Sequence, residues 1–379
     1  MARFLVFGAS MGDTTGTSAQ HILICFHDFN RGGTERIAIG MARRWVELGR
    51  RVTILCGARQ GGLEDTVDPR VTVVELSPPI PRSPISRLQL GPAMAKRLAE
   101  LAPDVIFLPG NFHFPLIPAL GKARGKAALV AKISNPAVPQ GLVALPVRWL
   151  LRRFARHLDG FAAMNRGLEA EIRAIAPDTH VTTLYDPVYL TDAAPAPREQ
   201  AAVKEILWAG RFEPQKDAPL ALRTIAELNR LMPARLTMLG EGYLRPKMEA
   251  LAAKMGLGDQ VRFIGHVPSI DPYLAQADAL LVSSVFEGGP AVAVEALAHG
   301  VPVVSTPCSH FLRDIMTIPA AGQITAGSST KELAQALAQV CSTPRPTPET
   351  LRPLIAHLAP EPCADAYLAW FDAMAARRG

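Results

Sequence analysis

The sequence predicts an α/β protein built from two doubly wound domains. Three observations carry that prediction. Short apolar runs alternate with helical patterns along almost the whole chain, which is the signature of parallel sheets. A proline- and alanine-rich stretch without periodicity, Asp192-Ala-Ala-Pro-Ala-Pro-Arg-Glu199, interrupts the alternation near the middle. A length of 379 residues suits two domains of ordinary size.

Taken in order, residues 1–20 read as an irregular leader. Phe7-Gly-Ala-Ser-Met-Gly12 superficially fits a dinucleotide-binding turn, but Asp13-Thr-Thr-Gly-Thr-Ser18 follows where a helix should start. The first domain, 21–190, opens with the buried run His21-Ile-Leu-Ile-Cys-Phe26. Further strands are expected at 51–56, 71–76, 105–109, 127–134, 160–165 and 180–185. The helix expected over 34–48 shows an apolar stripe at Ile37, Met41, Trp45 and Leu48. After the linker, 191–200, the second domain (201–360) restarts the alternation with strands at 205–210, 235–240, 261–265, 279–284, 301–306 and 322–325. An amphipathic helix carrying Tyr367, Leu368, Trp370 and Phe371 ends the chain over 361–379.

Composition narrows the function. Forty Lys+Arg against 34 Asp+Glu give a net charge of +6, a mild bias towards phosphorylated ligands or an anionic membrane surface. The five cysteines are odd in number and scattered, which argues for a reducing compartment and against a disulfide framework or zinc site. No apolar stretch reaches the roughly 18 residues of a membrane span, and the amino terminus lacks the pattern of a signal peptide. The expected location is cytoplasmic. Arg148-Trp-Leu-Leu-Arg-Arg-Phe-Ala-Arg-His157 could touch an anionic membrane; the reading favoured here is an amphipathic helix packed on the sheet. No basic and aromatic combination suffices for a nucleic-acid site.

The candidate chemistry sits in loops after strands. Phe286-Glu-Gly-Gly-Pro290 follows a buried strand, and Pro290 suits the first position of a helix that His299-Gly300 would end. Glu287 lies where ligands bind in open parallel sheets, though a solvated loop glutamate fits as well. Glu295 falls on a helix apolar all round, so its carboxylate needs either an internal salt bridge or a polar ligand. In Gly210-Arg-Phe-Glu-Pro-Gln-Lys-Asp217, Arg211 and Lys216 stand just ahead of a helix whose positive end disfavours cations by roughly 0.3 to 1 kcal/mol. Either an anion is held there or the two side chains point into solvent. Asn30-Arg-Gly-Gly-Thr-Glu-Arg36 repeats the arrangement in the first domain, where close approach to a ligand competes with plain turn chemistry.

The ordered set of Asn30-Arg-Gly-Gly33, Asp186-Pro-Val188, the Gly-Arg…Lys turn at 210–216, Gly240-Glu-Gly242 and Glu287-x7-Glu295 resembles the retaining glycosyltransferases of the GT-B fold, family GT4. The resemblance runs from about residue 21 to the carboxyl terminus. It implies two Rossmann-like domains facing each other across a cleft, with the acceptor on the first domain and a nucleotide-sugar donor on the second. Arg211, Lys216 and, from across the cleft, Gly32 and Gly33 would serve the donor diphosphate. Glu287 with the amides of Gly288, Gly289 and Ala291 would serve the sugar and phosphate, Glu295 the ribose, and Phe263 and Ile264 would lie near the base. His113, in Pro109-Gly-Asn-Phe-His-Phe114, resembles the family's first-domain histidine beside the sugar; packing among phenylalanines is the competing reading.

Similar enzymes transfer the sugar with retention, need no metal or other cofactor, and fold their last helix back onto the first domain. The resemblance thus implies a hexosyltransferase of bacterial surface glycan or glycolipid synthesis, with a glycan or lipid-linked acceptor, cytoplasmic or peripheral at the inner face of the membrane. Two departures stand out: Gly289 where the family often has a bulky residue, and Asp186 where it often has asparagine. A catalytically silent nucleotide-sugar-binding relative and a sugar-nucleotide epimerase on a similar scaffold are the alternatives. A dehydrogenase is excluded, because neither domain supplies Gly-x-Gly-x-x-Gly with an acidic residue about twenty positions on.

Overall fold

The computed structural model describes residues 19–30, 32–139, 141, 143–190 and 202–378. The expected linker and most of the expected leader lie outside the described residues.

Every expected strand forms. In the first half these are β1 (His21–Phe26), β2 (Arg51–Cys56), β3 (Thr72–Glu75), β4 (Val105–Leu108), β5 (Ala128–Ile133), β6 (Gly160–Ala163) and β7 (His180–Thr183). They make one sheet in the order β3-β2-β1-β4-β5-β6-β7, parallel throughout. In the second half, β8 (Lys204–Ala209), β9 (Ala234–Leu239), β10 (Val261–Gly265), β11 (Ala279–Val282), β12 (Val303–Ser305) and β13 (Gly322–Ile324) form a parallel sheet ordered β10-β9-β8-β11-β12-β13. Helices cover both faces of each sheet, which is why the central strands are apolar at successive positions rather than at alternate ones.

This topology fixes where a ligand can bind. Chain progression reverses between β1 and β4 in the first sheet and between β8 and β11 in the second. Loops leaving adjacent strands on either side of such a switch point open a crevice at the carboxyl edge. The four loops there are those after β1, β4, β8 and β11, and they carry Gly32, His113, Lys216 and Glu287 respectively.

Three of the helices pack on the first sheet as follows. The helix Gly33–Glu47 buries Ala38, Met41, Ala42 and Trp45, while Leu48, expected on its apolar stripe, caps the end and is exposed. The expected stripe is therefore misplaced by part of a turn. The helix Pro360–Ala376 lies on the first sheet: the Trp45 indole donates to the Ala364 carbonyl at 2.8 Å, and the rings of Trp45 and Phe371 are 5.1 Å apart. Arg50 and Asp372 pair at 2.9 Å beside that contact.

The helix Ala144–Ala155 is the amphipathic helix expected on the sheet, and it also leaves large apolar residues outside. Leu151 and Ala155 are buried against the sheet, but Leu145, Trp149 and Leu150 face outward. The apolar residues outnumber the positions the sheet can cover.

Candidate active site

The turn after β8 is clamped from the neighbouring strand. Ser283, just past β11, accepts from the Trp208 indole at 3.0 Å and donates to the Lys216 carbonyl at 2.8 Å. Asp217 takes a left-handed conformation, φ 42°, and its side chain caps the helix Ala218–Leu228 by accepting the Leu220 amide at 3.1 Å. The Lys216 stem then lies across Gly210, where an added Cβ would stand 3.2 Å from Lys216 Cδ. On the other side Gly240, φ 119°, approaches so closely that a Cβ would fall 2.0 Å from the Gly210 carbonyl oxygen. Glycines at 210 and 240 are what let these loops stack.

The clamp aims Lys216 at Glu287. Lys216 Nζ donates to Glu287 Oε1 at 2.6 Å, and Ser284 Oγ donates to the same oxygen at 2.6 Å. Oε2 has no partner among the described residues. With side chains 19% and 9% exposed, the pair is largely withdrawn from water, so each charge depends on the other. The Glu287 amide is fixed by the Cys308 carbonyl at 2.9 Å.

Beyond Glu287 the loop meets the first domain. A Cβ on Gly288 would fall 2.2 Å from the Ser134 carbonyl oxygen and 2.5 Å from Met164 Cε, so only glycine fits. The Gly288 carbonyl accepts from Asn165 Nδ2 at 3.0 Å and from Ser309 Oγ at 3.2 Å. Gly289 is half-buried with ordinary contacts. Pro290 caps rather than begins the helix Ala291–Ala298, whose first residue, Ala291, is exposed.

Glu295 lies on that helix. Burial pushes its carboxyl above the usual range and Asp271 adds to the shift; it has no hydrogen-bond or ion-pair partner among the described residues. Of the two readings left open by the sequence, an internal salt bridge is thus not the one realised. Phe263 is half-buried against Phe212, with ring centroids 6.0 Å apart, and Ile264 is exposed. Arg211 does not join Lys216: it is 69% exposed and pairs with Glu213 at 3.0 Å.

In the first domain, Gly32 lies under Glu35, whose carboxylate folds back so that a Cβ on Gly32 would stand 2.2 Å from Oε2. Burial raises the Glu35 carboxyl above its ordinary value. Gly33 has open space around it, and Arg31 lies outside the described residues. His113 is 1% exposed, neither ring nitrogen has a hydrogen-bond partner among the described residues, and burial above all pushes the imidazole down to about 4. It is therefore a neutral ring at physiological pH.

Sequence reasoning missed three features. His27, directly after β1, is as buried as His113 and equally unpartnered; its place at a strand's carboxyl end was the available signal. Arg82 holds the buried Asp28 through two bonds, 2.8 and 3.0 Å, and lies over Phe112 together with Arg87. Asn165 caps the helix Arg166–Ile175 through the Leu168 amide while bonding across to Gly288. Asp186, by contrast, is spoken for: Lys132, 1% exposed on β5, pairs with it at 2.5 Å. Among the described residues no three metal-ligating side chains come together.

Comparison with known proteins agrees with this layout. The family of group 1 glycosyl transferases matches residues 203–343, and the glycosyl transferase 4-like domain matches 32–187. The chain is 32% identical over 125 residues to an N-acetylgalactosaminyltransferase of Campylobacter jejuni that acts on a diphospho-undecaprenol-linked sugar, covering 32% of this chain and 34% of that one. It is 25% identical over 167 residues to a lipopolysaccharide 1,6-galactosyltransferase of Salmonella typhimurium, covering 42% and 46%. These matched stretches span less than half the length of either relative. The apo structure of the lipopolysaccharide outer core galactosyltransferase WaaB superposes with a TM-score of 0.75 at 17% identity over 92% of this chain and 98% of that one, which shows the GT-B fold. With the two family domains matching in order, one on each sheet, the chain belongs to the group 1, GT4-like glycosyltransferases.

Proposed function

We propose that the protein transfers a sugar from a nucleotide-diphosphate donor to an acceptor with retention at the anomeric carbon. The observation that carries this reading is the withdrawn Lys216–Glu287 pair at the carboxyl edge of the second sheet, with one carboxylate oxygen unpartnered among the described residues. The donor diphosphate lies against the Lys216 ammonium and the first amides of the helix Ala291–Ala298, where cation and helix terminus both favour an anion. Arg211, unburdened by any buried contact, swings in as the second cation. Glu287 Oε2 accepts from the sugar hydroxyls, and the Gly288, Gly289 and Ala291 amides complete that contact. Glu295, a half-buried carboxyl without a partner among the described residues, accepts from the ribose; the ligand supplies the donors its partial burial lacks. Phe263 and Ile264 flank the base, and Gly32 and Gly33 face the diphosphate from the other domain.

His113, neutral and buried, offers a hydrogen bond beside the sugar without adding charge. Charge developing on the departing diphosphate is met by Lys216 and Arg211, so no metal is required. The matched relatives act on lipopolysaccharide and on a polyprenyl-linked sugar, which supports a glycan or lipid-linked acceptor in surface-polysaccharide synthesis on the cytoplasmic side.

Calorimetry against UDP, GDP, ADP and their common sugar conjugates tests the reading. One nucleotide diphosphate is expected to bind, and Lys216→Ala and Glu295→Ala each to weaken it about ten- to a hundredfold, the loss of one charge-assisted hydrogen bond. Binding to none of them overturns it. With the donor known, the anomeric proton of the product distinguishes retention from inversion.

A further inference from the structure

We propose that residues 143–156 form a docking surface for an anionic lipid bilayer. The helix Ala144–Ala155 gives its packed side to the first sheet through Leu151 and Ala155. Its opposite side does not follow the usual rule for a protein surface. Leu145 is 77% exposed, Trp149 66%, Val143 55% and Leu150 42%. Interleaved with them at helical spacing stand Arg148, Arg152, Arg153 and Arg156, all exposed. None of the four forms an ion pair among the described residues, and the helix contains no aspartate or glutamate.

Each component has a cost that one partner removes. Large apolar side chains clustered in water are unfavourable and mark an interaction site. Four unpaired guanidiniums on one helix repel one another and call for negative charge. A second copy of this chain would bring the same four arginines against these, so an isologous contact is electrostatically opposed. An anionic bilayer meets both demands at once, taking Leu145 and Trp149 into the acyl boundary and the arginines at the headgroups. Trp149 sits between the apolar and basic portions, where an indole's amphipathic ring is favoured at a membrane interface.

Topology adds direction. The helix follows β5, so its apolar amino end lies at the carboxyl edge of the first sheet, the edge that carries the candidate active site. The amino end of the helix Ser86–Ala95, which covers the same sheet face, is exposed at Leu88 (74%), next to Ile85 (59%). Given the glycosyltransferase reading, the first domain would meet its acceptor at a membrane. The docking surface itself does not depend on that reading.

The chain has four tryptophans, and Trp45, Trp208 and Trp370 are buried. A change in tryptophan emission on adding lipid therefore reports Trp149. The full chain is titrated with unilamellar vesicles of phosphatidylcholine alone and of phosphatidylcholine mixed with phosphatidylglycerol. Co-sedimentation and a blue shift are expected with the mixed vesicles only, weakening as salt is raised. Leu145→Ser with Trp149→Ser, and separately Arg152→Ala with Arg153→Ala, should each reduce vesicle affinity about tenfold or more. Because these side chains face solvent, thermal melting of the variants should match the wild type. Absence of binding and blue shift in the wild type, or wild-type vesicle affinity in both variants, overturns the proposal. Nucleotide calorimetry on the same variants stays unchanged if the donor site is right, so failure of either idea leaves the other standing.

Discussion

Glu287 and His113 show how differently burial treats two polar side chains at one edge of the fold. Glu287 is withdrawn but receives Lys216 and Ser284 on a single oxygen. His113 is withdrawn and receives nothing, so its protonation is suppressed to about 4. That has a measurable consequence for pH. An unfolded histidine takes up its proton near 6.5, whereas folded His113 does not until about 4, so the unfolded state binds more protons between those values and stability falls as pH drops through that window. His113→Leu should remove on the order of 2 kcal/mol of the loss between pH 7 and pH 5, read by chemical denaturation at both; equal pH sensitivity of wild type and variant contradicts the assignment. The sequence exposed Glu287 because a lone carboxylate after an apolar strand and before a glycine pair is conspicuous. It did not expose Ser284 or the solvent-facing pairing of Arg211 with Glu213, since rotamer and partner are settled by neighbours that no local pattern encodes.

At the scale of elements, the strands were legible because both faces of each parallel sheet are covered and their runs are therefore almost unbroken in apolar residues. Helices were less so. An apolar stripe says which residues avoid water, and the helix Gly33–Glu47 departs from it because Ala38 and Ala42 are small enough to let the last helix come close, leaving Leu48 outside. The last helix in turn fills that space with aromatic rings: Phe371 lies 5.1 Å from Trp45 and 5.2 Å from Phe107, fully buried. Phe371→Ala should cost about 3 to 5 kcal/mol by emptying that volume, seen as a lower denaturation midpoint with the second sheet's own transition unmoved. A variant with wild-type stability would mean that the helix contributes no core.

For the whole molecule, the alternation of strands and helices was enough to announce two sheets, while their mutual seating was not, because it rests on contacts between residues far apart in sequence. Asn165 is the clearest of these. Its carbonyl oxygen caps a helix of the first domain and its amide nitrogen holds Gly288 of the second. Asn165→Asp keeps the cap but sets an oxygen against the Gly288 carbonyl in place of the amide donor, so small-angle scattering should report a larger radius of gyration; an unchanged scattering profile would show that the bond does not hold the domains together. If it does, the latch at Gly288 and the candidate carboxylate of Glu287 are adjacent residues on one loop. Parting the domains would then release Gly288 and slacken the seat of Glu287, so the hold on that carboxylate and the seating of the two halves are one and the same constraint.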